Sequence, residues 1–166
     1  MSVARQMVVI AGLLSVPVAT TMDRKPPQPI RDPGAQADYR LLKLNKFFSN
    51  GNCPLRSAAA DFLEASDRYD LDWRLLPSIS MVESSGGKAF RNNNVLGWGS
   101  CDRRFPSVRA GIHAVASRLA TSSLYRDKNL DAVLATYNPM PEYVARVKSV
   151  MRKIGSADAG PETRLN

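Results

Sequence analysis

From residue 54 onward, apolar residues recur at steps of three and four, the spacing of one buried face of an α-helix. Pro54 suits a first helical position, and Leu55, Ala58, Ala59, Phe62, Leu63, Ser66 and Tyr69 follow on one side. Asp72 is placed to cap a second helix with Leu75, Leu76, Ile79 and Val82 turned inward. Pro77 either kinks that helix or marks its true start. Ser107 suits the cap of a third helix, whose stripe is Val108, Ile112, Val115 and Leu119. A fourth takes Leu130, Val133, Leu134 and Tyr137, and a fifth begins near Pro141 with Tyr143, Val144, Val147, Val150 and Ile154. Between Gly86 and Pro106 the period breaks into Gly, Asn and Trp, which predicts a long structured loop or a short β-hairpin. Loops of that length in small domains usually carry function. The expected fold class is mainly α, with one helical domain over residues 41–154.

The flanks follow other rules. Arg5 precedes an uncharged run to Met22 with an apolar centre at Met7–Leu14, followed by Ser15-Val16-Pro17-Val18-Ala19-Thr20. A basic end, an apolar core and a small-residue zone are the order of a secretory leader. The core of about 13 residues is short of the ~20 that span a bilayer. Residues 1–22 are therefore expected to be a signal peptide or signal anchor, and the protein to be extracytoplasmic (periplasmic or secreted), membrane-attached only if the leader is retained. Pro26, Pro27, Pro29 and Pro33 make 23–40 an expected proline-stiffened tether. Residues 155–166 lack periodicity and read as a disordered tail.

Composition adds two constraints. Hydrophobic residues at 44% and charged residues at 23% suit a globular domain. Lys and Arg exceed Asp and Glu by 23 to 15, a net charge of +8, which favours an anionic partner without saying which. The basic residues Arg91, Arg103, Arg104 and Arg109 gather around the loop, where they suit solubility or attraction to an anionic wall polymer. The two cysteines, Cys53 and Cys101, are candidates for one disulfide in an oxidising compartment. Such a bridge would close a loop of roughly 50 residues and stabilise by about 3–4 kcal/mol. The alternative is two unrelated thiols. With one histidine, His113, and no metal-ligand spacing, neither a metal nor a cofactor is expected.

Candidate chemistry centres on Glu83. It follows Leu76 and Ile79 at helical spacing, and Ser84-Ser85-Gly86-Gly87 can end the helix just beyond it. A carboxyl walled by apolar groups is desolvated, its pKa is expected to rise, and a protonated carboxyl is what a general acid requires. The alternative is a structural glutamate paired with an arginine. Downstream, Asn92-Asn93-Asn94-Val95-Leu96-Gly97-Trp98-Gly99 offers amides and an aromatic face suited to sugar hydroxyls and pyranose rings. The same residues equally suit a turn and a core tryptophan. Tyr137-Asn138-Pro139 ends a helix and could bring a hydroxyl and an amide to the same cleft.

Leu75-Leu76-Pro77-Ser78-Ile79-Ser80-Met81-Val82-Glu83-Ser84-Ser85-Gly86-Gly87 resembles the catalytic helix of the lysozyme superfamily, in the form seen in bacterial glucosaminidase domains and soluble lytic transglycosylases. Asn93-Asn94-Val95-Leu96-Gly97-Trp98 is similar to the Asn-Asn-x-x-Gly stretch after the catalytic glutamate of glucosaminidase domains. Phe105-Pro106-Ser107-Val108-Arg109-Ala110-Gly111-Ile112 resembles the start of their next helix, and Tyr137-Asn138 the Tyr-Asn pair of lytic transglycosylases. The likeness runs from about Ala58 to Ile154. It implies a lysozyme-like helical domain that cleaves peptidoglycan glycan strands, as an N-acetylglucosaminidase, muramidase or lytic transglycosylase. Glu83 would be the acid, and Ser84, Ser85, Asn93, Asn94, Gly97, Trp98, Tyr137 and Asn138 the substrate contacts.

Two features depart from the family pattern. Most glycosidases use two carboxylates, and the candidates for the second, Asp102, Glu64 and Glu142, sit in no matching motif. The tyrosine that the family carries after the Asn-Asn-x-x-Gly stretch is replaced by Phe105-Pro106-Ser107. A single acid is compatible with a lytic transglycosylase or with assistance from the substrate's own N-acetyl group. The alternative reading is a non-catalytic module that binds cell-wall glycan. The expected partner is the peptidoglycan strand, with no nucleic acid, and the chain is expected to be a monomer.

Overall fold

A computed structural model describes residues 33–156, with side chains from residue 39 onward. The order is α1 (Pro33–Asn50), a 3-10 turn (Pro54–Ala58) running into α2 (Ala59–Arg68), α3 (Leu75–Ser84), α4 (Val108–Thr121), α5 (Leu130–Tyr137) and α6 (Tyr143–Ser156). The fold is mainly α. No strand occurs among the described residues, and 85–107 is a long loop made of turns. The expected leader at 1–22, the tether as far as residue 32 and the tail from residue 157 lie outside the described residues.

Local chemistry explains where the helices begin. Pro54 opens the 3-10 turn, where its missing N–H leaves no bond unmade. Ser107 and Asn129 cap α4 and α5, their side chains accepting the N–H groups of Ala110 at 3.1 Å and Ala132 at 2.9 Å. Asp72 is not the cap of α3, since it lies two residues before the capping position at Arg74. Its carboxylate accepts the N–H of Arg74 at 2.9 Å and fixes the turn that leads into α3. Pro77 is the third residue of α3, inside the first turn, so it starts the helix rather than kinking it.

Two boundaries differ from the sequence reading. Helix α1 begins at Pro33, so residues 33–40 of the expected tether are helical. Pro33 suits a first turn, and the stripe Leu41, Leu44 and Phe48 binds the rest of the helix to the domain, with Leu44 and Phe48 completely buried. Arg40 then grips Asp67 of α2 through both carboxylate oxygens, at 2.6 and 2.8 Å. At the other end, α6 continues through Gly155 and Ser156, two residues into the expected tail.

The core is one cluster in which Phe48, Phe62, Leu76, Ile79, Ile112, Leu134, Val147 and Ile154 are almost wholly buried. Burying each such side chain contributes about 1.5–3 kcal/mol. Helix α3 packs chiefly on α6, and α2 on α4. This arrangement holds the C-terminal end of α3 between the loop and the start of α6.

Candidate functional site

Helix α3 is buried from Leu75 to Ser80 and emerges only at its last turn, where Glu83 is half-buried. The helix stops because Ser85 adopts a left-handed conformation, φ +51°, and Gly86 and Gly87 continue with positive φ. Gly86 also lets Cys53 in, since a Cβ there would stand 2.5 Å from its sulfur. Ser84 is buried. Its hydroxyl donates to Ser80 O at 2.9 Å and accepts the Gly87 N–H at 3.2 Å. Ser84 therefore builds the helix end and is not free to hold substrate, contrary to the sequence expectation, whereas Ser85 is exposed.

The loop returns to Glu83 because asparagines pin it. Asn92 and Asn93 both take left-handed φ, +59° and +57°. Asn92 O accepts the N–H of Phe105 at 2.9 Å, and Asn93 Nδ2 donates to Phe105 O at 2.9 Å, so the two ends of the loop are tied together. Gly111 permits this approach, because a Cβ there would meet Asn93 O at 2.9 Å. Asn94 is buried and ties the middle. Its Nδ2 donates to Trp98 O at 2.8 Å and Arg103 O at 3.2 Å, and its Oδ1 accepts the Trp98 N–H at 2.9 Å. Asn94 is thus a loop brace and not the sugar contact expected of it, because all these amide bonds are internal.

The brace delivers Gly97 against the Glu83 carboxyl. Gly97 has φ +70°, and a Cβ there would stand 2.8 Å from Glu83 Cδ and closer still to Oε2. On the other side is Tyr143 of α6. Its buried hydroxyl makes no well-formed hydrogen bond, yet Glu83 is near enough to influence its proton. Burial first, then the Glu83 charge and a loose hydrogen bond from the phenol towards the Glu83 carboxylate, push the Tyr143 phenol well above its ordinary value of 10.0, with Arg146 acting the other way. Tyr137 is half-buried as a residue, but its hydroxyl points inward and donates to Leu96 O. Burial, then Tyr143 and Glu83, raise its pKa too. Both phenols stay protonated near neutrality, so each is a donor and neither is a general base.

No ion pair neutralises Glu83 among the described residues. Arg146 of α6 lies near enough to Tyr143 to act on its phenol. Arg91 is engaged with Asp102 at 2.6 Å, and Arg109 with Asp61 at 2.6 Å and with Glu64 at 2.5 Å. Those pairs also occupy two of the three candidate second carboxylates, and Arg109 holds the Glu64 carboxyl below its ordinary range. The third, Glu142, is exposed. His113 has Nε2 buried and 3.9 Å from Glu64.

Gly97, which meets this carboxyl, also lines an aromatic cleft of about 340 Å³ with Trp98, Gly99, Ser100, Tyr125 and Tyr137, and Glu83 stands behind that wall. Trp98 is half-buried, its ring 5.5 Å from that of Tyr137 and 6.2 Å from that of Tyr125, and Tyr137 stacks on Tyr143 at 6.1 Å. Gly97 and Tyr137 therefore stand close to Glu83, and Trp98 joins them through the ring of Tyr137. Asn93 precedes Gly97 and Trp98 in the loop with its amide donated to Phe105 O, and Asn138 uses its Oδ1 to accept the Met140 N–H at 3.0 Å. Sequence reasoning missed Tyr125 and took Tyr143 for core. The available signal was a phenol in a stripe otherwise made of valines and isoleucine.

The two cysteines are both free. Cys53 is buried against Gly51, Gly86 and Met81, its thiol 3.7 Å from the Met81 sulfur, and burial raises its pKa. Cys101 sits in the loop after Ser100, near enough to Tyr137 to bear on its phenol. The candidate disulfide does not form in this structure. Compared with known proteins, the chain matches no family model, no curated protein and no solved structure.

Proposed function

We propose that this chain is an extracytoplasmic, lysozyme-like enzyme that cleaves N-acetylated cell-wall glycan, with Glu83 as the proton donor. The observation that carries the reading is a half-buried carboxyl without an ion pair, held between Gly97 and Tyr143 behind the wall of an aromatic cleft. Without an ion pair the carboxyl is not committed to a structural role and stays available to a ligand in the cleft. Trp98, Tyr125 and Tyr137 supply faces for pyranose rings, and Gly97 and Gly99 expose backbone to hydroxyl and acetamido groups.

In the proposed reaction Glu83 donates its proton to the glycosidic oxygen as the bond to the anomeric carbon breaks, and the leaving sugar departs as an alcohol. The carboxylate left behind is stabilised by the neutral Tyr143 hydroxyl. With Asp102 and Glu64 ion-paired, the anomeric carbon is best served by the substrate's own N-acetyl oxygen. The intermediate is then opened either by water or by the sugar's 6-hydroxyl. The same lack of a second carboxylate supports the rival reading of a module that binds glycan without cutting it.

Mass spectrometry of soluble fragments released from purified peptidoglycan tests the proposal. Ends of 1,6-anhydromuramic acid would identify a lytic transglycosylase, and reducing ends a hydrolase whose terminal sugar names the bond. A folded protein that binds wall and releases nothing would leave the binding module in its place.

A further inference from the structure

A second cleft, of about 360 Å³, lies on the loop and α4 and shares Trp98 and Tyr125 with the first. Arg103 from the loop and Arg118 from α4 line it, with Phe105 and the exposed Leu124. Among the described residues neither arginine has a carboxylate partner, whereas Arg91 and Arg109 of the same region are both ion-paired. An arginine in the last turn of α4 also suits the helix dipole. Convergence with Arg103 on one aromatic cleft is not explained that way.

We propose that this second cleft binds a carboxylate carried by the glycan, so that the substrate is recognised as an acidic, N-acetylated saccharide rather than a neutral one. Guanidinium groups match carboxylate geometry, and charge-assisted hydrogen bonds are the strong ones. Trp98 and Tyr125 provide stacking faces for the sugar that bears the acid. Because the two rings line both clefts, a strand seated beside Glu83 has its next residues within reach of the arginines. The inference rests on the glycan reading above, but it concerns binding and needs no cleavage.

The carboxylate could come from the lactyl ether of muramic acid or from a stem peptide. The test is calorimetric titration of the full chain, Arg103→Gln and Arg118→Gln. Four probes are used: a peptide-free N-acetylglucosamine–N-acetylmuramic acid tetrasaccharide, the same tetrasaccharide with peptide stems, neutral tetra-N-acetylchitotetraose, and oligothymidylate. The unaltered chain is expected to prefer an acidic saccharide to the neutral one by about tenfold or more. Each substitution should weaken acidic binding about tenfold and leave neutral binding unchanged. Arginine-dependent binding of the peptide-free tetrasaccharide identifies the lactyl group, and of the peptide-bearing form alone the stem. Such binding without fragment release supports this inference while the cleavage reading fails. Equal affinity for acidic and neutral sugars, losses that fall on both alike, or no saccharide binding at all would overturn it. So would arginine-dependent binding confined to oligothymidylate, which would mark the cleft as a nucleic-acid site.

Discussion

A methyl group added at Gly97 would meet the Glu83 carboxyl at a φ of +70°, where an L-residue is already strained. Gly97→Ala is therefore expected to destabilise by about 1–3 kcal/mol in urea denaturation, and to reduce fragment release further by displacing Glu83. Tyr143 separates structure from chemistry more cleanly. Its hydroxyl is buried with only the Glu83 carboxyl to meet, so Tyr143→Phe should cost no more than about 1.5 kcal/mol of stability at neutral pH. Its nearness to Glu83 implies that the rate of glycan release should fall about tenfold. Unchanged release in a stable Tyr143→Phe protein would mean that the phenol only fills space.

At the scale of elements, the loop between α3 and α4 depends on one buried amide. Asn94→Ala would remove bonds to Trp98 and Arg103 and leave their backbone groups without partners. A loss of about 2–3 kcal/mol is expected, with increased protease cleavage within 91–104. The helices from residue 54 onward were legible because each buries one stripe at the helical period. Helix α1 was not, although Leu41, Leu44 and Phe48 keep that period. Lys43, Asn45 and Lys46 dilute the stripe, and its burial comes from packing on α2 and α6. Glu83, Gly97 and Trp98 were legible through motif order. Ser84 and Asn94 misled because a serine after a catalytic glutamate and an amide in a loop look alike whether they face substrate or backbone. Tyr143 was hidden for the converse reason, since one residue serves both core and site.

At the scale of the whole molecule, the site depends on α3 and α6 remaining packed, because Glu83 and Tyr143 come from opposite sides of that contact. Two buried phenols there give stability a defined alkaline limit. Tyr137 and Tyr143 keep their protons when folded, whereas in the unfolded chain they ionise near 10. The folded state then holds more protons than the unfolded one, so stability is complete below pH 10 and falls as pH rises beyond it. The unfolding midpoint should fall more steeply above pH 10 in the unaltered protein than in Tyr143→Phe. Parallel curves would show that Tyr143 is not the group responsible. The role of Glu83 is read from the initial rate of fragment release from purified peptidoglycan by the unaltered chain and by Glu83→Gln. The amide keeps the shape of the carboxyl and removes its proton transfer, so release should fall by about a thousandfold or more while wall binding and the unfolding midpoint persist. Equal release by the two proteins would show that Glu83 is not the acid.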